Sequence, residues 1–168
     1  ALLKPVRHQY TQHEDHLLNW SKHSLARIKL GFKKDGSLHA MDHMEYVESG
    51  SYDASSVTSA QRTGGMLHYN QNCKHMKISC GRVATNRLKQ RDYCGIGTAP
   101  PTYSTESTMD MAAEVLGMDP IELKKKNVFS KGNFDGAWGQ PNGWLSNDGH
   151  RELYDVVATK ADWKGTWG

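Results

Sequence analysis

From Ala26 the sequence alternates, with Ile28, Leu30 and Phe32 on one side of an extended chain and Arg27, Lys29 and Gly31 on the other. That period of two belongs to a strand with one buried face. Lys34-Asp35-Gly36 turns the chain, and the return segment sets Leu38, Ala40, Met44 and Tyr46 on one face with Asp42 as its one polar member. Two such runs joined through a glycine-bearing turn read as a β-hairpin over a half-buried sheet. In the second half the period changes. Met109, Ala112, Ala113 and Leu116 stand at i, i+3, i+4 and i+7, the apolar face of a helix from about Tyr103 to Leu116. Pro101 or Thr102 can open it, Gly117 ends it, and Asp119-Pro120 caps a second short helix through Lys126.

Around these two features the rest falls into place by pattern. Lys4 to Tyr10 reads as a short strand with Val6, His8 and Tyr10 on one side, and Glu14 to Trp20 as a turn or short helix. Ser49 to Ser59 is loop, Gly64-Gly65 is a second weak point, and Lys77 to Ala84 forms another strand. Residues 131–147 read as an irregular connection. A last helix runs from about His150 to Ala161 on Leu153, Val156, Val157 and Lys160, with Asn147 or Asp148 as its cap. Strands in the first half and helices in the second predict an α+β fold: an antiparallel or mixed sheet with helices packed from the C-terminal half. Residues 1–168 are expected to form a single unit.

Bulk properties exclude several classes. A net charge of +3 is far from the clustered basic footprint of a nucleic-acid binder, and Lys124-Lys125-Lys126 reads as a solvated helix end near the C-terminal dipole. Cys73, Cys80 and Cys94 are odd in number and lack a Cys-x-x-Cys pair, so they predict reduced thiols in a cytoplasmic protein, not a disulfide framework or a four-sulfur metal site. No apolar run reaches membrane-spanning length, and no secretory signal opens the chain. A start without methionine and a mean hydropathy of −0.72 suggest an excised piece of something larger.

Three groups of residues invite a functional reading. In Tyr93-Cys94-Gly95-Ile96-Gly97-Thr98-Ala99-Pro100 two glycines flank one aliphatic residue ahead of the buried helix. This is either an ordinary tight turn or a place where an anionic or electron-rich group rests on bared amides at the positive end of a helix. It is neither a dinucleotide fingerprint, since Pro100 replaces the third glycine, nor a phosphate loop, since no Gly-Lys-Ser/Thr follows. His8, His13, His16 and His23, with His39 and His43 flanking Asp42, are a candidate metal cluster set against plain surface histidines. Trp138, Trp144, Trp163 and Trp167 could dock a partner if exposed, which keeps a non-enzymatic assembly module as the alternative.

The run Thr85-Asn86, the glycine loop, Glu106, Met109-Asp110, Ala113, Leu116-Gly117-Met118-Asp119-Pro120-Ile121-Glu122-Leu123 and Asn127 resembles the molybdenum-binding subunit of the xanthine dehydrogenase and aldehyde oxidase family. Lys4-Pro5-Val6-Arg7, Glu14-Asp15 and Gly50-Ser51-Tyr52 extend the likeness over most of the chain. The resemblance implies a molybdenum-pterin cofactor and the hydroxylation of an electron-poor carbon of a heterocycle or aldehyde, with water as oxygen source. It also implies iron-sulfur clusters and FAD on other domains or subunits, and further molybdenum-subunit domains as partners. By the same resemblance Tyr93, Cys94, Gly95 and Gly97 approach the cofactor, while Cys94, Ile96 and Arg62 face the small-molecule substrate. Cys94 stands where the family has an arginine and Ile96 where it often has an aromatic ring, so a fork of donors and a stacking surface are missing. An active-site cysteine bridged to copper occurs in the family's carbon monoxide dehydrogenases, but there it follows the arginine and here it replaces it. The family's general base, a glutamate near the end of the subunit, has no counterpart, so the piece alone is expected to be inactive.

Overall fold

The computed structural model describes residues 4–18, 23–52, 72–73, 75–90, 95–129 and 149–166. In chain order these form α1 (Gln12–Leu18), β1 (Ser24–Phe32), β2 (Leu38–Gly50), β3 (His75–Ala84), α2 (Ala99–Leu116), α3 (Pro120–Asn127), α4 (His150–Lys160) and α5 (Trp163–Thr166). This is the expected α+β arrangement. Residues 4–10 are exposed and lack regular structure. An apolar alternation there is not enough, because a strand needs a ladder partner and none of the described strands pairs with it. After it Thr11 and Glu14 close a capping box: the carboxylate accepts from the Thr11 amide and hydroxyl at 2.8 Å each, and the hydroxyl accepts from the Glu14 amide at 3.3 Å.

The sheet has the order β1-β2-β3, with β1 antiparallel to β2 and β3 parallel to it. A parallel neighbour demands a crossover between Gly50 and His75. At the hairpin turn Asp35 accepts from the Ser37 amide at 3.0 Å and the Ser37 hydroxyl at 2.9 Å. Gly36 sits there at φ 80, which selects glycine, and a Cβ on it would also press on the end of the Met118 side chain.

Pairing corrects the expected face of β2. Gly31 faces Ala40 while Phe32 faces Leu38, so β2 carries one extra residue at this bulge. A one-residue slip exchanges the two faces of a strand. Beyond it Met41, His43, Glu45, Val47 and Ser49 are buried, and Tyr46, expected inside, is exposed. Of Leu38, Ala40, Met44 and Tyr46 only Leu38 is buried. The inner face therefore holds a polar pair, His43 Nε2 lying 2.9 Å from Glu45 Oε2 with both side chains fully enclosed.

Two apolar clusters share Leu30 and Phe32. One joins Leu38, Met41 and Cys73, the other Met109, Ala113 and Leu123, so α2 and α3 close over the hairpin at its turn end. Helix α2 begins at Ala99, earlier than expected, because Pro100 and Pro101 both fit its first turn. Its end is a Schellman motif: Gly117 adopts φ 64, its amide donates to Glu114 O at 3.1 Å, and the Met118 amide donates to Ala113 O at 2.9 Å. Asp119 then caps α3, accepting from the Ile121 and Glu122 amides. Helix α4 lies where the sequence placed it, but its apolar residues Leu153, Val156 and Val157 are exposed and only Tyr154 and Ala158 are half-buried. Its cap position is Gly149, without a side-chain hydrogen bond.

Candidate functional site

The glycine loop turns directly into α2. The Thr98 amide donates to Gly95 O at 2.7 Å and the Thr98 hydroxyl donates to the same oxygen at 2.5 Å, which closes a turn with Gly95 at φ 80 and Gly97 at φ 71. A positive φ at the third position of such a turn is what selects glycine there. Gly95 is exposed, Ile96 half-buried and Gly97 buried. Among the described residues a Cβ on Gly95 would meet only Thr98 Oγ1, at 3.0 Å, so the backbone there stands open to a bulky group. Tyr93, Cys94 and Arg62, the other expected site residues, lie outside the described residues, as do Trp138, Trp144 and Trp167.

The expected anion seat is weaker than the sequence suggested. Thr98 spends its amide on Gly95, the Thr102 amide donates to Thr98 O at 3.0 Å, and Pro100 and Pro101 have none to give. Of residues 98–102 only Ala99 keeps an amide to offer, so the helix start cannot cradle an anion with a fan of donors. The two consecutive prolines were the signal for this in the sequence. What the turn does offer is close backbone approach, and that suits a flat ring system held by edge contacts better than a free phosphate.

Several residues of the family-like run prove to build the scaffold behind the loop. Lys124 Nζ lies 3.1 Å from Glu106 Oε2 and 2.7 Å from Asp110 Oδ1, joining α3 to α2. Burial pulls the Lys124 pKa down, but Asp110 and Glu106 together outweigh it and hold it above the ordinary lysine value. Next to them the Tyr154 hydroxyl is pushed up by burial and by Glu106 and Asp110. Asn127 is buried and donates to Gly36 O and Leu123 O at 2.9 Å each while accepting from the Leu38 amide at 2.7 Å. Trp163, expected as an exposed docking residue, is half-buried and donates from Nε1 to Asp119 Oδ2 at 2.9 Å.

Other candidates have simpler roles. His13 and His16 are exposed on α1, and among the described residues no three His, Cys, Asp or Glu side chains gather as a metal site. His43 is no surface histidine, since it lies buried against Glu45. Burial, joined by Glu45, pushes the Cys80 thiol up to about 11, and burial also raises Cys73. Neither is a ready nucleophile at neutral pH. Sequence reasoning missed Glu48, a half-buried carboxylate at the end of β2 whose partners Thr85, Arg87 and Gln90 lie on the segment that leads to the loop. Among the described residues no helix is long and apolar enough to cross a membrane.

The chain is similar to known proteins over most of its length. The aldehyde oxidoreductase of Megalodesulfovibrio gigas is 29% identical over 136 residues, 81% of this chain and 15% of that protein. The nicotinate hydroxylase of Emericella nidulans is 28% identical over 134 residues, 77% of this chain and 10% of that protein. Among solved structures, the aldehyde oxidoreductase from Desulfovibrio gigas superposes with a TM-score of 0.77 at 27% identity, covering 86% of this chain and 16% of that one. The chain thus spans a small part of the relatives it matches. Residues 1–128 match the family described as the molybdopterin cofactor-binding domain, which includes the glycine turn and both helices behind it, and the chain belongs to that family.

Proposed function

We infer that residues 1–168 form one α+β unit of the molybdenum-binding subunit of a hydroxylase that oxidises an electron-poor carbon of a heterocycle or aldehyde. The observation that carries this reading is the exposed, Cβ-free backbone at Gly95, which opens a turn at the start of a packed helix within the segment that matches the cofactor-binding family. The backbone of Gly95 and Gly97, with Tyr93 and Cys94 before them, forms one wall against the molybdenum-pterin group, and Cys94, Ile96 and Arg62 face the substrate. When bound, that group supplies the hydroxylation chemistry with water as oxygen source, while the protein supplies position and electrostatics. The chain's part is to hold a close-fitting wall in place and to shield it from water.

Iron-sulfur and FAD domains or subunits receive the electrons, and the remaining domains of the subunit complete the pocket. Names of relatives support the substrate class, one being an aldehyde oxidoreductase and another a nicotinate hydroxylase. With Cys94 and Ile96 in place of a guanidinium fork and a ring, a small neutral substrate suits this wall better than an anionic planar one. Cys73 and Cys80, both free, fit a cytoplasmic setting.

Gly95→Val in the full-length protein tests the reading. A residue with a Cβ at φ 80 is disfavoured by about 1–2 kcal/mol, a roughly tenfold shift away from the native turn. Molybdenum and pterin in the purified protein are expected to fall about tenfold while helix content stays unchanged. Full cofactor retention in a folded Gly95→Val protein would defeat the proposal.

A further inference from the structure

The chain enters the glycine turn from residues 85–90, and this segment is clamped along the end of β2. Thr85 donates from its amide to Gly50 O at 3.2 Å, Ser51 to Arg87 O at 2.9 Å, and Gln90 to Ser49 O at 3.3 Å. Gly50 sits at φ 71, and a Cβ on it would lie 2.2 Å from Leu88 O, so the two backbones are in direct contact. One side chain gathers the segment's polar groups. Glu48 Oε1 accepts from the Thr85 hydroxyl at 2.6 Å and lies 3.5 Å from Arg87 Nε, while Oε2 accepts from Gln90 Nε2 at 3.4 Å and lies 3.2 Å from His23 Nδ1.

These contacts differ in weight. His23 Nδ1 is also 2.8 Å from an Arg87 guanidinium nitrogen. A single imidazole nitrogen cannot accept from Arg87 and donate to Glu48 at once, so His23 serves one or the other. Arg87 and His23 are 55% and 54% exposed, and water weakens their grip. The Glu48 side chain is only 11% exposed, which leaves the short Thr85 bond as its firm contact and the buried Gln90 carboxamide, at 3.4 Å, as a longer one. A carboxylate is needed here because both oxygens must accept, and glutamine has only one acceptor oxygen. Since Glu48 can only accept, Gln90 must turn its NH2 toward it, and Gln90 Oε1 is left buried without a partner among the described residues.

From these observations we propose that Glu48 is a positioning residue for the glycine turn. It fixes Gln90, only residues 91–94 separate Gln90 from Gly95, and α2 fixes the turn from the other side. Glu48 therefore sets how firmly the Gly95–Gly97 backbone is presented, and the consequence for the cofactor rests on the reading of that turn as a pocket wall.

The test uses the full-length protein with and without molybdopterin, and compares Glu48→Gln, Thr85→Val and Thr85→Ser. Hydrogen exchange at the Thr98 amide, which closes the turn, is expected to quicken about tenfold in Glu48→Gln and Thr85→Val, the effect of losing a hydrogen bond to a charged group. Thr85→Ser keeps the hydroxyl and should match the parent. Exchange at Met109 and Ala113 in the packed part of α2 should not change, which separates positioning from general loosening. Unchanged Thr98 exchange in Glu48→Gln, or equal acceleration throughout α2, overturns the role. Faster Thr98 exchange with undiminished molybdopterin retention leaves Glu48 as the positioner and sinks the cofactor-wall reading instead.

Discussion

At the scale of single residues, Asn127 shows how one carboxamide can join three pieces of chain. Its amide group reaches the hairpin turn at Gly36 and the helix carbonyl of Leu123, and its oxygen takes the Leu38 amide at the start of β2. Truncation to alanine would leave the Leu38 N–H and the Gly36 carbonyl without partners in a buried place, and each such loss costs about 1–3 kcal/mol. Asn127→Ala is therefore expected to lower local stability by roughly 3 kcal/mol, seen as about a hundredfold faster exchange of the Leu38 amide. Parent-like exchange there would show that water replaces the side chain. The resemblance picked out Asn127 without a reason for it. Two of its three partners, Gly36 and Leu38, lie some ninety positions earlier, and no local pattern announces them. His43 and Glu45 were illegible for a related cause: polar residues at strand positions 43 and 45 are read outward by default, and only the bulge beside Gly31 turns them inward.

At the scale of elements, the lysine run of α3 has a different meaning from the solvated end that its composition suggests. Successive residues on a helix are turned by about 100°, so three adjacent lysines can face three directions. Lys124 meets Glu106 and Asp110 on α2, Lys125 meets Asp155 on α4, and Lys126 meets Asp35 in the hairpin turn. The period-two and period-3.6 patterns made the hairpin and the helices legible, and the glycines announced the turn at 95–97. Periodicity cannot reveal whom a helix end touches, nor that β3 runs parallel to β2. The hairpin turn yields a pH prediction. The Ser37 amide, then its hydroxyl, then Lys126 lower the Asp35 pKa from the usual 3.8 to about 2. A group held below its unfolded value stabilises the fold above that value and loses the contribution as pH falls through the folded one. The turn should thus loosen between about pH 4 and pH 2, with the Ser37 amide resonance titrating in that window. In Asp35→Asn the same resonance should stay flat, and a persisting titration would assign the transition to another carboxylate.

At the scale of the whole molecule, the distribution of apolar surface argues for partners. Helix α2 buries Pro101, Thr105, Met109 and Ala113 at intervals of four residues. On its opposite face Tyr103, Met111 and Val115, spaced by eight and then four residues, are 77%, 65% and 87% exposed. Leu25, Tyr46 and Val83 lie open on the sheet, and Leu153 and Val157 on α4. A stable monomer rarely shows several apolar patches of this kind at once. The curated relatives are far longer, this chain spanning 15% and 10% of the two named above. Both facts meet in one expectation: the turn at Gly95–Gly97 is a single wall, and residues elsewhere must supply the general base and most contacts to the pterin. The 168-residue chain made alone should bind an apolar dye, self-associate at micromolar concentration, retain little molybdenum, and oxidise neither aldehydes nor N-heterocycles with an artificial electron acceptor. Turnover by the monomeric piece would mean that the catalytic constellation is complete within it, and the proposed division between this wall and the rest of the subunit would have to be given up.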